Sequence, residues 1–246
     1  MYTAVRNATG KRGFVMSRST YPSAGRYTTH WLGDNDSFWR NLHDSIIGII
    51  EFNWFGMPFV GADMCGFFAE ATEELCQRWM QLGSFYTLSR NHNGLNMKDQ
   101  DPGIFGPHVS HVSKSALEIK YSLLPFLYTQ FYRVNTQGGT IIRAMWHVFP
   151  KDKRTWSLDT QFMWANALLV APVLEQGHMH KDAYLPKSRW FDYYTVSCLD
   201  FIVVKIICLH FQIEMYCILA LARSVLFFSV THSLTLAFEI RFKNIW

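Results

Sequence analysis

The chain has 246 residues, a net charge of +4 from 23 Lys and Arg against 19 Asp and Glu, and 16% aromatic residues, nine of them Trp. This length can bury a substantial core in one large domain. The positive surplus is spread along the chain, which argues against nucleic acid as a partner. The first apolar segment, "GFVMSRS" (Gly13 to Ser19), reads as a buried strand. "HWLGDN" (His30 to Asn35) then closes an apolar run on a Gly-Asp pair, which is first of all a turn signal. Phe38, Leu42, Ile46 and Ile49 recur at helical spacing, with Ser37 placed to cap that helix. "GMPFVGAD" (Gly56 to Asp63) predicts a second strand, Leu75, Trp79 and Leu82 a second helix face, and "FYTLSRNHN" (Phe85 to Asn93) a third strand.

Strand and helix in alternation predict a parallel sheet with crossover helices, an α/β architecture. In its barrel form, functional groups sit at the carboxyl ends of strands. Arg18, Asp63 and His92 fall at such ends, and Asp34 follows an apolar segment in the same way. A long helix is expected from Ser115 to Tyr132, with Leu117, Tyr121, Leu124, Tyr128 and Phe131 on one face and a kink at Pro125. Gly138-Gly139 ends it, and "TIIRAMWHVF", "ALLVAPVL", "DAYLP" and "RWFDYY" predict an antiparallel sheet. From Val196 onward there is no Gly or Pro, and Ile, Leu, Val, Phe and Cys dominate without a clean period. The longest charge-free run there, Ser224 to Phe238, is 15 residues, short of the ~20 that a membrane helix usually takes.

Five cysteines leave at least one outside any intrachain pairing: Cys65 and Cys76 lie close together, and Cys198, Cys208 and Cys217 fall in the tail. Two N-x-Ser/Thr sequons, at Asn7 and Asn35, hint at a secreted glycoprotein, yet "MYTAVRNATGKRGF" is not a signal peptide, which suggests a fragment. Walker, G-x-G-x-x-G and G-x-S-x-G motifs are missing, so nucleotide binding and the serine elbow lack support. "HVSH" and "HMH" could offer metal ligands, but no C-x-x-C, H-E-x-x-H or neighbouring acidic cluster completes a site, so they read as surface histidines and neither a metal nor another cofactor is expected.

Four strings occur in one order: "SRSTYPSAGRYTTHWLGDN", "FNWFGMPFVGADMCGF", "EELCQRWMQLGSFYTLSRNHN" and "YSLLPFLYT". Together they resemble the retaining α-glucosidases of glycoside hydrolase family 31, nearer to the intestinal maltase and isomaltase units than to the lysosomal enzyme. The likeness runs from about Arg12 to Thr195. It implies the second half of a (β/α)8 TIM barrel over 1–138, the start of a β-sandwich over 139–195, and an unrelated apolar tail over 196–246. It also implies an exo-acting enzyme of the secretory pathway that removes α-1,4- or α-1,6-linked glucose from maltooligosaccharides. By resemblance Asp34 is the general acid/base, Arg18 contacts the sugar and the acid, and Asp63 is the carboxylate at the floor of the pocket. His92 donates to a glucose hydroxyl, Trp31 and Phe67 form aromatic walls, and Cys65–Cys76 is a disulfide bracing the loop of Phe67. Without the resemblance, Asp34 is a turn residue, Arg18 a strand-end ion pair, Asp63 a strand-ending acid, His92 a core histidine, and Trp31 and Phe67 core.

An alkoxide leaves a sugar poorly, so a carboxylic acid must protonate the glycosidic oxygen. An apolar wall such as Trp31 and a nearby carboxylate are expected to keep Asp34 protonated. A retaining enzyme also needs a nucleophilic carboxylate ~5 Å away. In the family this lies in a W-x-D-M-N-E-type motif upstream of "SRST", and that motif does not occur here. A half barrel leaves edges and core uncovered, so the chain alone is expected to be neither stable nor active. Val196-Ser197 is what a splice donor encodes when read through in frame, so the tail is expected to be translated intron. Two other readings stand beside the glucosidase fragment: a non-catalytic sugar-binding product, and a chain held at a membrane by its tail.

Overall fold

A computed structural model describes residues 1–195, 198–199, 203–207 and 216–221. An exposed helix, α1 (Tyr2–Thr9), precedes five short strands and two helices: β1 (Met16–Ser17), β2 (Thr29–Trp31), α2 (Trp39–Trp54), β3 (Val60–Gly61), β4 (Asp63–Met64), α3 (Glu73–Gly83) and β5 (Arg90–Asn91). β1, β2 and β3 pair side by side in parallel, and β4 pairs with β5 in parallel. The alternation expected from sequence is present, although the strands are only two or three residues long. "GMPFVGAD" divides into two strands, so Asp63 opens β4 rather than ending a strand. Phe85 to Ser89 are not strand, and the backbone turns there through Phe85 N–H to Leu82 O.

Leu42, Ile46 and Ile49 are fully buried on α2, as their spacing requires, whereas Phe38 is 56% exposed. Ser37 does not cap α2. The cap position is Phe38, without a side-chain bond, and the Ser37 hydroxyl donates instead to Cys65 O at 2.7 Å. α3 has the orthodox start, with Thr72 Oγ1 accepting from Leu75 N–H and Glu73 and Glu74 in the first turn.

The long helix α4 runs from Pro107 to Gln137, starting a full two turns before Ser115 and continuing through Pro125. Its early turns are polar and β-branched, which hid them, yet proline is tolerated at a helix start, where its missing N–H has no intrahelical acceptor. Its buried side matches expectation only in part: Leu117 and Phe131 pack half-buried against the core. Val109, Val112, Ser113, Ala116, Leu127 and Gln130 face inward, while Tyr121 is 70% exposed. Small side chains at Ser113 and Ala116 allow close packing there, which an apolar pattern does not reveal.

β6 (Ile142–Ala144) breaks into the short helix α5 (Met145–Val148), so "TIIRAMWHVF" is only partly strand. β7 (Phe162–Trp164), β8 (Leu168–Pro172), β9 (His180–Tyr184) and β10 (Trp190–Asp192) follow, and β7 had no place in the sequence reading. β6, β7 and β8 pair antiparallel. Phe162, Trp164, Leu168 and Val170 join the core shared with α2, α3 and α4, while Met163, Leu169 and Ala171 face a second core with Trp190. The sheet is therefore covered on both faces, which explains its unbroken apolar sequence. Asn53 at the end of α2 accepts from Ile141 N–H and Ile142 N–H at 2.9 and 3.0 Å, fastening the parallel part to β6.

Of the tail, β11 (Cys198–Leu199), β12 (Val203–Ile207) and β13 (Tyr216–Leu221) are described. β12 pairs with β9, and β13 lies between β8 and β10. The read-through origin and membrane attachment expected of the tail lie outside the described residues. Among those residues no helix is long and apolar enough to cross a membrane.

Candidate active site

The carboxyl ends of the parallel strands bring four loops together. Arg18 follows β1 directly, and its Nη1 donates to Asp34 Oδ2 at 3.0 Å. Gly33 makes this approach feasible: it sits at φ 89°, and a Cβ there would lie 2.9 Å from Arg18 Nε. Asp34 thus sits at a bend after Gly33 and is held by Arg18. The Arg18 guanidinium faces the Asp34 carboxylate, and the Trp31 ring lies 5.2 Å from the Arg90 guanidinium carbon.

Asn35 carries the connection onward. Its Nδ2 donates to Asp63 O at 3.0 Å, and its backbone carbonyl accepts from Phe67 N–H and Phe68 N–H. The sequon nitrogen is therefore already a structural donor, whereas Asn7 sits on the exposed helix α1.

Asp63 is fully buried. Its Oδ1 accepts from Arg90 Nε at 2.8 Å and from Arg90 Nη2. Burial pushes the Asp63 carboxyl above the usual carboxylate range; Arg90 and His92 pull it back, and the charge of Asp34 adds to the rise. Among the described residues Asp63 Oδ2 and Trp31 Nε1 are buried without a hydrogen-bond partner. One is an acceptor and the other a donor, and such groups are costly to leave unmade in a protein interior. A ring hydroxyl, which both donates and accepts, suits them.

Phe67 lies with its ring 5.2 Å from that of His92, and His92 follows β5. The loop between Asp63 and Phe67 is pinned to α3 by the Cys65–Cys76 disulfide. At Gly66 φ is 93°, and a Cβ would come within 2.5 Å of Ser37 N. Arg18, Trp31, Asp34, Asp63, Phe67 and His92 are thus linked through direct contacts or one intervening residue. Arg90 went unnoticed in the sequence. Its signal was the spacing: Arg90 and His92 are two residues apart in an extended segment, hence on one face.

The chain matches the glycosyl hydrolases family 31 TIM-barrel domain over residues 1–130 and the glycosyl hydrolase family 31 C-terminal domain over residues 138–216. The second match passes Thr195, where the sequence reading expected the likeness to stop. Human intestinal sucrase-isomaltase is 50% identical over 194 residues, covering 79% of this chain and 11% of the relative. Mouse lysosomal alpha-glucosidase is 46% identical over 188 residues, 76% of this chain and 20% of the relative. The chain therefore spans about a tenth to a fifth of the length of these relatives. Among solved structures, a Flavobacterium johnsoniae family 31 dextranase complexed with glucose aligns with TM-score 0.82 and 30% identity over 91% of this chain and 29% of its own. A glucosidase II alpha subunit aligns with TM-score 0.83 and 29% identity over 89% and 24%. By sequence and by fold, this chain belongs to glycosyl hydrolase family 31.

Proposed function

We propose that the chain carries the acid/base and part of the glucose pocket of an exo-acting retaining α-glucosidase, active on α-1,4- or α-1,6-linked oligosaccharides of the maltose and starch kind. Residues 1–138 supply the later part of the barrel and 139–195 the opening of a β-sandwich, in a protein of the secretory pathway. The observation that carries this reading is that Asp63 and Trp31, both in contact with Arg90, each keep a buried polar atom without a partner, an acceptor at Oδ2 and a donor at Nε1.

Asp63 and Trp31 bind the hydroxyls of the non-reducing glucose, and Phe67 and His92 pack and polarise its other edge. Asp34 protonates the glycosidic oxygen as the bond breaks and later takes a proton from water, the two roles that a retaining mechanism assigns to one carboxyl. Arg18 orients Asp34. Asp63 is assigned a binding role, with Oδ1 held by two bonds from Arg90 and Oδ2 left to accept from the sugar. The nucleophilic carboxylate lies outside these 246 residues.

Hydrolysis of a chromogenic α-glucoside and calorimetric binding of the imino sugar deoxynojirimycin test this, on the purified chain and its Asp34→Asn and Asp63→Asn variants. Binding without turnover, weakened at least about tenfold by Asp63→Asn, is expected for the loss of hydrogen bonds to a charged group. Turnover abolished by Asp34→Asn would place a nucleophile within this chain. Absence of binding would remove the pocket assignment.

A further inference from the structure

Gln100, in the segment "KDQDP" between β5 and α4, is buried at 6% exposure and lies outside every residue assigned above. Its Nε2 is within hydrogen-bond distance of four acceptors: Gly66 O at 2.9 Å, Asn91 Oδ1 at 3.0 Å, His92 O at 3.2 Å and Met64 O at 3.3 Å. Its backbone carbonyl accepts from Asn91 Nδ2 at 2.9 Å. Every neighbour of that terminal atom is an acceptor, so the amide must present its NH2 group here, with two protons shared among four oxygens.

The placement coincides with the end of a ladder. β4 and β5 pair through only two residue pairs, Asp63↔Arg90 and Met64↔Asn91. Beyond them one chain runs on to Phe67 and the other to His92, with no further strand pairing between them. Met64 and Gly66 belong to the first loop, Asn91 and His92 to the second. Gln100 therefore donates to both loops just where the sheet stops holding them. Without its donor, their carbonyl oxygens would face one another with like partial charges.

We propose that Gln100 is a positioning residue that fixes the spacing between the Asp63–Phe67 loop and His92, and so the width of the sugar pocket. The pocket clause rests on the function proposed above; the loop clause does not.

The test uses the full 246-residue chain with Gln100→Ala and Gln100→Glu. Hydrogen exchange is followed at the Phe67, Phe68 and Gly94 amides, which bond to Asn35 O, Asn35 O and Phe67 O, with α2 and α3 amides as reference. Gln100→Ala should speed loop exchange at least about tenfold, the scale of one or two lost hydrogen bonds, while the helices stay within about twofold. Gln100→Glu keeps the shape but donates only when protonated. Its loops should stay protected near pH 4.5 and loosen near pH 7.5, after correction for intrinsic rates and beyond any change that the native chain, with Asp63 in the same loop, shows between those pH values. Deoxynojirimycin affinity should fall in parallel.

Unchanged loop exchange in Gln100→Ala would overturn the proposal. So would loosening shared equally by α2 and α3, a Gln100→Glu variant without pH dependence, or native loop amides that exchange at unfolded-chain rates. If the native chain fails to bind the imino sugar while the exchange results hold, the pocket reading falls and the positioning role stands.

Discussion

Replacing Asn53 by alanine tests how the parallel part is joined to the antiparallel sheet. The Asn53 side chain is 1% exposed, and its Oδ1 is the acceptor for Ile141 N–H and Ile142 N–H, both on residues with no exposed surface. Its Nδ2 donates to Ile49 O at 2.8 Å, a carbonyl in the last turns of α2. Alanine leaves two buried backbone donors unmade, at about 1–3 kcal/mol each. Loss of the donation to Ile49 O adds little, since that oxygen keeps its helical environment. The expected destabilisation is about 2–5 kcal/mol, read as a drop of 1 M or more in the urea midpoint for a slope of about 2 kcal/mol/M. Ser122→Ala is the control, because that hydroxyl is exposed and bonds mainly within its own helix, and it should cost under about 0.5 kcal/mol. If Asn53→Ala costs no more than the control, the two donors are not stranded as argued, and the account of the junction fails.

Lys120 donates to Tyr86 O from a site where burial lowers its pKa to about 8. The unfolded chain keeps that proton up to about pH 10.4, so between pH 8 and 10 unfolding takes up a proton and stability rises with pH. Denaturation of the native chain against Lys120→Met should show their stability difference growing in favour of the native chain over that window. A difference that is flat or shrinks would refute the assignment; Tyr86, whose pKa burial raises, acts in the opposite sense above pH 10 in both proteins. Gly33→Ala should displace Arg18 from Asp34, since the new Cβ would sit 2.9 Å from Arg18 Nε at a φ of 89°. We expect deoxynojirimycin affinity to fall and stability to drop by about 1–2 kcal/mol, both checked by calorimetry; unchanged values of either would count against the strain argument. Peptide mapping after expression in a glycosylating host should find glycan at Asn7 and none at Asn35, whose Nδ2 holds Asp63 O. Full occupancy at Asn35 would show that bond to be dispensable.

Much of the candidate site was proposed from sequence because its residues sit in short strings whose order is itself informative. Asp34 in "WLGDN", Asp63 in "GADMCGF" and His92 in "RNHN" are each recognisable within a few neighbours. The helices α2 and α3 were readable from the spacing of Leu42, Ile46 and Ile49 and of Leu75, Trp79 and Leu82. The strands were less so, since two-residue elements such as β1 and β5 carry no period at all. α4 was legible only in part for a different reason: exposed aromatics such as Tyr121 are ordinary on a surface, and the buried side includes small or polar residues such as Ser113, Ala116 and Gln130.

The sequence by itself determined the bend at Gly33-Asp34, the amphipathic helices and the family likeness, because backbone preference and apolar spacing act over one or two turns of chain. Only the tertiary structure decided that Ser37 serves Cys65 rather than α2, that Trp31 lies beside Arg90, and that Gln100 holds two loops at once. Those contacts join residues far apart in sequence. Their partners are chosen by the core of α2, α3 and α4, which sets how closely the loops approach, and each polar group then bonds with whatever that approach delivers.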